Sequence, residues 1–347
     1  LTQTIANRIA EQLTVFLNEW HSAPEVYDDA LDAQIHRWYS DILTDKSRKV
    51  WPPRNIPYFS PSAADSDPRG LYEKARGAKK ESRGRQPNQG RQTRIGTAIG
   101  DIIQRDILFA EKHYARYAGE NPPFVFDRNE RGEPMFEDFA KMSKIVEHAG
   151  RTFALFGTSD GVMRVWIPEL GREVRVGLEV KSKQTTYAKT SGYSMRNGPE
   201  EGHVKQCVSY SVMYDVDFYV ILYVNGARKA WDMTPAEFEK NPDIAAFGLY
   251  ITDEMREDLL GHFAGILDAA DKGEPPETDL GKWRFNDFKR TIALSLSDEE
   301  IDALRRKVAA VQRSGLSEWQ KRGPAEALAD IERIREEEAE SQTKEAA

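Results

Sequence analysis

Two acids and a lysine stand at the ends of neighbouring extended stretches near the middle of this chain. The first stretch is Phe156-Gly-Thr-Ser-Asp160-Gly-Val-Met-Arg-Val165, and the second is Val176-Gly-Leu-Glu179-Val-Lys181-Ser-Lys183. Burying such groups costs free energy unless they bind something. A hard divalent cation held by Asp160 and Glu179, with Lys181 beside it to stabilise a nucleophile or a phosphoryl oxygen, meets that requirement. The competing reading is a charged hairpin that faces solvent.

Strands must position these groups. The apolar run Phe153 to Phe156 and the alternation Val162, Arg164, Trp166 predict extended chain, Pro168 and Gly171 supply a turn, and Val174, Val176, Leu178 and Val180 predict the returning strand. A period of two places Glu179 and Lys181 on one face and Leu178 and Val180 on the other. Pro122 to Val146 alternates apolar and charged residues, as strands leading into this hairpin would. His203 to Tyr214 predicts a helix with Gln206 and Tyr210 on one face. Phe218 to Val224 predicts a buried strand, which Asn225-Gly226 turns toward Lys229-Ala-Trp231 as its hairpin partner.

In order and spacing, Asp160 followed by Glu179-Val180-Lys181 resembles the D…(D/E)-x-K core of the PD-(D/E)XK nuclease superfamily. Gln206-Cys-Val-Ser-Tyr210 matches the Q-x-x-x-Y motif of its RecB-like branch. Ser60, Ser62, Arg69 and Tyr72 resemble the branch's opening helix, with Ser60 as N-cap and Pro61 in the first turn. The similarity extends loosely from Tyr58 to Trp231 and includes phage-type exonucleases.

The resemblance implies an α/β fold: a central mixed β-sheet flanked by helices, a restriction-endonuclease-like core, with helical N- and C-terminal additions. The expected domains are a helical region over 1–50, the nuclease core over 51–250, and a helical region with an acidic tail over 251–347. It also implies that Asp160, Glu179 and the Val180 carbonyl hold Mg²⁺ or Mn²⁺. Lys181 would orient the attacking water or stabilise the pentacoordinate state, and Gln206 would hold the lysine or a phosphate. Relatives carry G-x-x-x-H on the preceding helix, the histidine being a metal ligand. Here Gly96 matches and Gly100 stands in the histidine's place. Asp101 or Gln104 would substitute, Asp101 first, unless Asp101 is an ordinary surface acid.

Cys207 is the sole cysteine, which excludes internal disulfides and an iron-sulfur cluster. It reads as a small buried residue rather than a catalytic thiol. Some relatives place the first cluster cysteine near Asp67 and close the cluster near Trp283, Phe285 and Phe288, which here would form an apolar latch. The 39% hydrophobic and 31% charged composition, with no apolar run near 18 residues, predicts neither a membrane span nor a signal peptide. The lone cysteine suits a cytoplasmic protein, and the phage-type resemblance implies the cytoplasm of a bacterial host cell.

Net charge is −8, but its distribution is uneven. From Arg69 to Arg94 nine Lys or Arg face two acids, whereas Ala325 to Ala347 holds eight acids and three bases. A basic segment beside a carboxylate site suits a phosphate backbone. The segment near 76–92 and the loop 184–202 are expected to be mobile, with a helix from Arg94 to Phe109. Expected DNA contacts are Arg69, Tyr72, Arg94, Lys183, Lys189, Arg196 and Tyr210, with Tyr187 and Tyr193 available for stacking. Structural roles compete: a cap for Arg69, core packing for Tyr72 and Tyr210, and plain disorder for the loop.

The function these readings imply is a metal-dependent exonuclease processing DNA ends in phage recombination or replication, with a phage single-strand annealing recombinase as a candidate partner. An endonuclease or nickase, and a degenerate nuclease fold serving as a DNA-binding or assembly module, are the alternatives.

Overall fold

In the computed structural model, which describes residues 2–82, 84–227 and 230–345, the chain divides into two compact units. The first comprises residues up to 64, 85–147 and 152–260; the second comprises 65–84, 148–151 and the chain from 261. In chain order, helices α1 (Thr2–Ser22) and α2 (Asp29–Thr44) precede strand β1 (Tyr58–Phe59), α3 (Pro68–Ala75), the long α4 (Pro87–His113) and α5 (Ala115–Ala118). Next come β2 (Val125–Phe126), one-turn α6 (Glu137–Ala140), β3 (Met142–His148), β4 (Arg151–Gly157), β5 (Gly161–Ile167) and β6 (Arg172–Lys183). Helix α7 (Glu201–Tyr214), β7 (Phe218–Asn225), α8 (Pro235–Lys240), β8 (Ile244–Tyr250) and α9 (Asp253–Lys272) follow, and α10 (Lys289–Ser295), α11 (Asp298–Arg313) and α12 (Glu318–Glu345) end the described chain. Among the described residues no helix is long and apolar enough to cross a membrane.

A mixed five-stranded sheet in the order β2-β5-β6-β7-β8 forms the centre of the first unit. β5 and β6 make the expected antiparallel hairpin, with Gly161 opposite Leu178 and Ile167 opposite Arg172. β6 and β7 are parallel, which requires a crossover, and α7 supplies it. The run Phe153 to Phe156 is not part of the hairpin strand: it lies in β4, in a separate sheet of order β1-β4-β3, because Thr158-Ser159-Asp160 breaks the strand. The partner of β7 is also not Lys229 to Trp231. β7 pairs antiparallel with β8, Val224 opposite Ile244, while Lys229 lies outside the described residues and Trp231 is exposed.

Apolar stripes explain the layers. Ile5, Ile9, Leu13 and Phe16 on α1 and Ile103 and Ile107 on α4 are buried with Val176, Leu178, Val220 and Leu222 of the sheet. α1 lies against β8 so closely that a Cβ at Gly248 would come within 1.9 Å of the Ala6 carbonyl oxygen, a contact only glycine permits. Gln3 seals the contact, donating to the Gly248 carbonyl at 2.8 Å and accepting from the Tyr250 amide at 3.1 Å.

The second unit has its own core, with Leu280, Trp283, Ile292, Ile301, Leu304 and Ile331 in one cluster. α11 begins as the sequence predicts, with Ser297 as N-cap and Glu300 completing a capping box. α3 does not begin at Ser60. Pro61–Asp65 forms a 3₁₀ turn, and α3 starts at Pro68 with Asp67 as its cap, accepting from the Arg69 amide at 3.2 Å. α4 starts earlier than expected, at Pro87, because Gln86 and Gln89 form a reciprocal capping box.

A candidate metal-dependent active site

The end of β5 creates the site. Ser159 is fully buried, and its hydroxyl shares its one proton between the carbonyls of Gly161 and Leu178, each 3.1 Å away, folding the chain back just before β5 begins. The Asp160 carboxylate then takes the place a further strand residue would occupy: its Oδ2 accepts the Val180 amide at 2.6 Å. Asp160 therefore docks on β6 at the peptide between Glu179 and Lys181. On β6 the period of two holds, and Lys181 Nζ lies 2.5 Å from Glu179 Oε1. The ammonium also donates to Gln206 Oε1 at 3.0 Å, and Gln206 Nε2 donates to the Tyr210 hydroxyl at 3.3 Å, so one face of α7 closes over the lysine.

The charges do not balance. Glu179 is 2% exposed and its Oε2 is buried without a hydrogen-bond partner. Burial, and then the neighbouring Glu179 charge, push the Asp160 carboxyl well above the ordinary range. Burial likewise raises Glu179, with Lys181 only partly offsetting it. Burial works against the Lys181 charge, but Glu179 and Asp160 outweigh it and hold the ammonium above its usual pKa. Two buried carboxylates sharing one cation attract further positive charge.

A hard divalent cation fits that donor set. Asp160, the unpartnered Glu179 oxygen and the Val180 carbonyl are the residues that would hold it. Among the described residues no group of three or more His, Cys, Asp or Glu side chains is gathered closely enough to hold a metal. Asp160 and Glu179 would supply two carboxylates, a number typical of Mg²⁺ sites that leave the remaining positions to water and phosphate. Asp101 is not gathered with Asp160 and Glu179; it is exposed on α4. Gln104, the other expected substitute, is buried and donates through Nε2 to the Asp160 carbonyl at 2.9 Å and to Glu137 Oε1 at 3.2 Å. Glu137 was not legible in the sequence, since it sits in a one-turn helix with no periodic signal, yet its charge acts on both Asp160 and Glu179.

α4 reaches the site through Gly96, where a Cβ would lie 3.1 Å from Ser182 Oγ. One turn on, Gly100 has nothing within 4 Å of a would-be Cβ. At the N-terminal end of α4 a cavity of about 480 Å³ is lined by Arg85, Gln86, Gly90 and Arg94. Directly beyond Lys181, a second of about 340 Å³ is lined by Gln92, Ser182, Lys183, Gln184 and Lys189. Lys183 pairs with Glu200 and lies 4.7 Å from the Tyr223 ring centroid. In the loop, Arg196 stacks over Tyr193 at 4.1 Å and both are exposed, as are Tyr187 and Lys189. The loop is more structured than its composition suggests: Asn225 Nδ2 donates to the carbonyls of Thr186 and Tyr187 and to Thr190 Oγ1.

Three expected DNA contacts are corrected. Arg69 is 1% exposed, and its guanidinium donates to Glu73, Glu300, Ser295 and the Pro276 carbonyl in the core of the second unit. Tyr72 is buried beside it, 5.8 Å from the guanidinium. Tyr210 is buried and supports Gln206 instead of facing a nucleic acid. Cys207 is buried, as expected of a packing residue. Trp283 is a core residue whose indole donates to Asp330, Phe288 packs at the edge of that core, and Phe285 is exposed, so the three do not act together as a latch.

No family model matches the chain, and no curated protein matches it. Similar solved structures include an alkaline exonuclease from Laribacter hongkongensis, at 11% identity over 62% of this chain and 89% of that one, TM-score 0.33. A phage-related exonuclease from Haemophilus somnus 129PT aligns at 12% identity over 61% of this chain and 81% of that one, TM-score 0.31. A third, with no activity in its name, aligns at 9% identity over 74% and 93%, TM-score 0.34. Likenesses this distant say nothing of reaction or substrate, so the functional reading rests on the side chains.

Proposed function

We propose that this protein is a metal-dependent deoxyribonuclease, most simply an exonuclease acting at DNA ends. The observation that carries the reading is the convergence of Asp160, Glu179 and Lys181 on β6, with a buried Glu179 oxygen left unpartnered. Asp160, Glu179 and the Val180 carbonyl would hold Mg²⁺ or Mn²⁺, which would supply acidification of an attacking water and offset charge building on the phosphodiester. Glu179 and Gln206 hold the Lys181 ammonium in place, where it serves as a positive donor that orients the attacking water or stabilises the scissile phosphate. Gln206 and Tyr210 fix where that donor points. Arg94, Lys183, Lys189 and Arg196 track the phosphate backbone, and Tyr187 and Tyr193 offer stacking surfaces.

The test is nucleotide release from linear and closed circular DNA with Mg²⁺, with and without chelator, by the wild type and Lys181→Ala. We expect release from linear DNA only, none with chelator, and a loss of about 10²–10³-fold in the variant. Nicked circles would replace the exonuclease with an endonuclease. A second reading, a DNA-binding module without turnover, draws on the lack of a third clustered acid among the described residues; tight DNA binding with no metal-stimulated release would establish it.

A further inference from the structure

The turn that carries Asp160 is anchored on a second side by α6, an element that no motif marks. Glu137, the first residue of α6, has φ of 45°, a left-handed conformation uncommon for a residue with a side chain and sustained only where the surroundings fix it. Its carbonyl accepts the Thr158 hydroxyl. At the other end of α6 the Ala140 carbonyl accepts the Tyr214 hydroxyl at 2.7 Å, and that hydroxyl accepts the Ser159 amide at 3.1 Å. Between them Gln104 Nε2 bridges the Glu137 carboxylate and the Asp160 carbonyl. Both neighbours are acceptors, so the Gln104 amide must turn its donors toward them, and its Oε1 is left buried without a partner. The amide orientation thus depends on Glu137, and the Asp160 peptide depends on the amide.

We propose that Glu137 is a positioning residue, holding the Asp160 peptide through Gln104 so that the carboxylate meets the cation correctly. This rests on the nuclease reading above. A misplacement of about 1 Å at a reacting centre costs on the order of 10²-fold in rate, so loss of the bridge should be plainly visible. Removing the carboxylate frees the Gln104 amide to rotate. Glu137→Gln retains an oxygen acceptor at the same place, which separates a hydrogen-bonding role from a role for the charge.

The experiment measures kcat and KM on linear DNA and Mn²⁺ affinity by calorimetry for the wild type, Glu137→Ala, Glu137→Gln, Gln104→Leu and the double variant Glu137→Ala with Gln104→Leu. Glu137→Ala and Gln104→Leu should each lower kcat at least about tenfold with KM within about twofold and bind Mn²⁺ more weakly, the double variant adding little, since coupled residues do not add. Glu137→Gln should restore most of the rate and affinity. Wild-type values in Glu137→Ala, or a Glu137→Gln as defective as the alanine variant, would overturn the proposal. An inactive wild type would instead remove the nuclease reading, and the Mn²⁺ affinities would still judge Glu137; should Glu137→Ala not fold, Gln104→Leu and Glu137→Gln carry the test.

Discussion

Each unit of this protein buries a cluster of charged side chains, and the two clusters are satisfied in opposite ways. In the second unit the Arg69 guanidinium meets Glu73, Glu300, Ser295 and a backbone carbonyl, so each of its nitrogens has a partner within the unit. In the first, Asp160 and Glu179 share one lysine, and a Glu179 oxygen has none. A closed network holds the fold together; the open one leaves a buried oxygen without a partner, the charge that the proposed cation would supply. Burial alone distinguishes neither, since Arg69 and Glu179 are both almost fully covered.

Breaking the closed network should have the largest effect on stability. Arg69→Ala strands Glu73 inside the second unit, and removal of one partner from a buried charge network typically costs about 3–5 kcal/mol. Urea unfolding should show that loss, while DNA cleavage by the protein that remains folded should keep its wild-type rate. A matching loss of cleavage rate would return Arg69 to the DNA-contact set.

A smaller effect concerns Asp67, the buried N-cap of α3, which also accepts hydrogen bonds from the Asn286 side chain and the Asp279 amide. Burial pushes its carboxyl up to about 6 from 3.8. The folded chain therefore keeps this proton over a range where the unfolded chain has lost it. Stability from this group is present below about pH 4 and declines as pH rises to about 6, by at most about 3 kcal/mol. Asp67→Asn should flatten that part of the pH profile of urea unfolding. An unchanged slope would mean that the cap hydrogen bonds fully compensate the burial.

The elements written in long apolar patterns were legible. The stripe of α1, the alternation of β6 and the Gln206–Tyr210 face of α7 all stand where their periods predict, because burial enforces those periods. Asn225-Gly226 misled for a physical reason. It is a good turn dipeptide, but the Asn225 side chain pins the loop around Thr190 and the Gly226 amide donates to the Lys183 carbonyl, so the chain passes through α8 before returning as β8. Glu179 and Lys181 lie on one face as the period of two predicts, because both are on β6, and Asp160 reaches them from the turn before β5 through the Val180 amide. Glu137 could not be read, since its place depends on a one-turn helix and a bridging glutamine 33 residues earlier.

The most direct test compares thermal unfolding of the wild type and Asp160→Asn with and without Mn²⁺. Asparagine can still accept the Val180 amide but removes a charge that burial beside Glu179 disfavours, so without metal the variant should melt higher, by about 1 kcal/mol in stability. With Mn²⁺ the wild type should gain and the variant should not, reversing the order. A wild type indifferent to Mn²⁺, or a variant less stable than the wild type without metal, would contradict the claim that Asp160 and Glu179 are held ready for a cation.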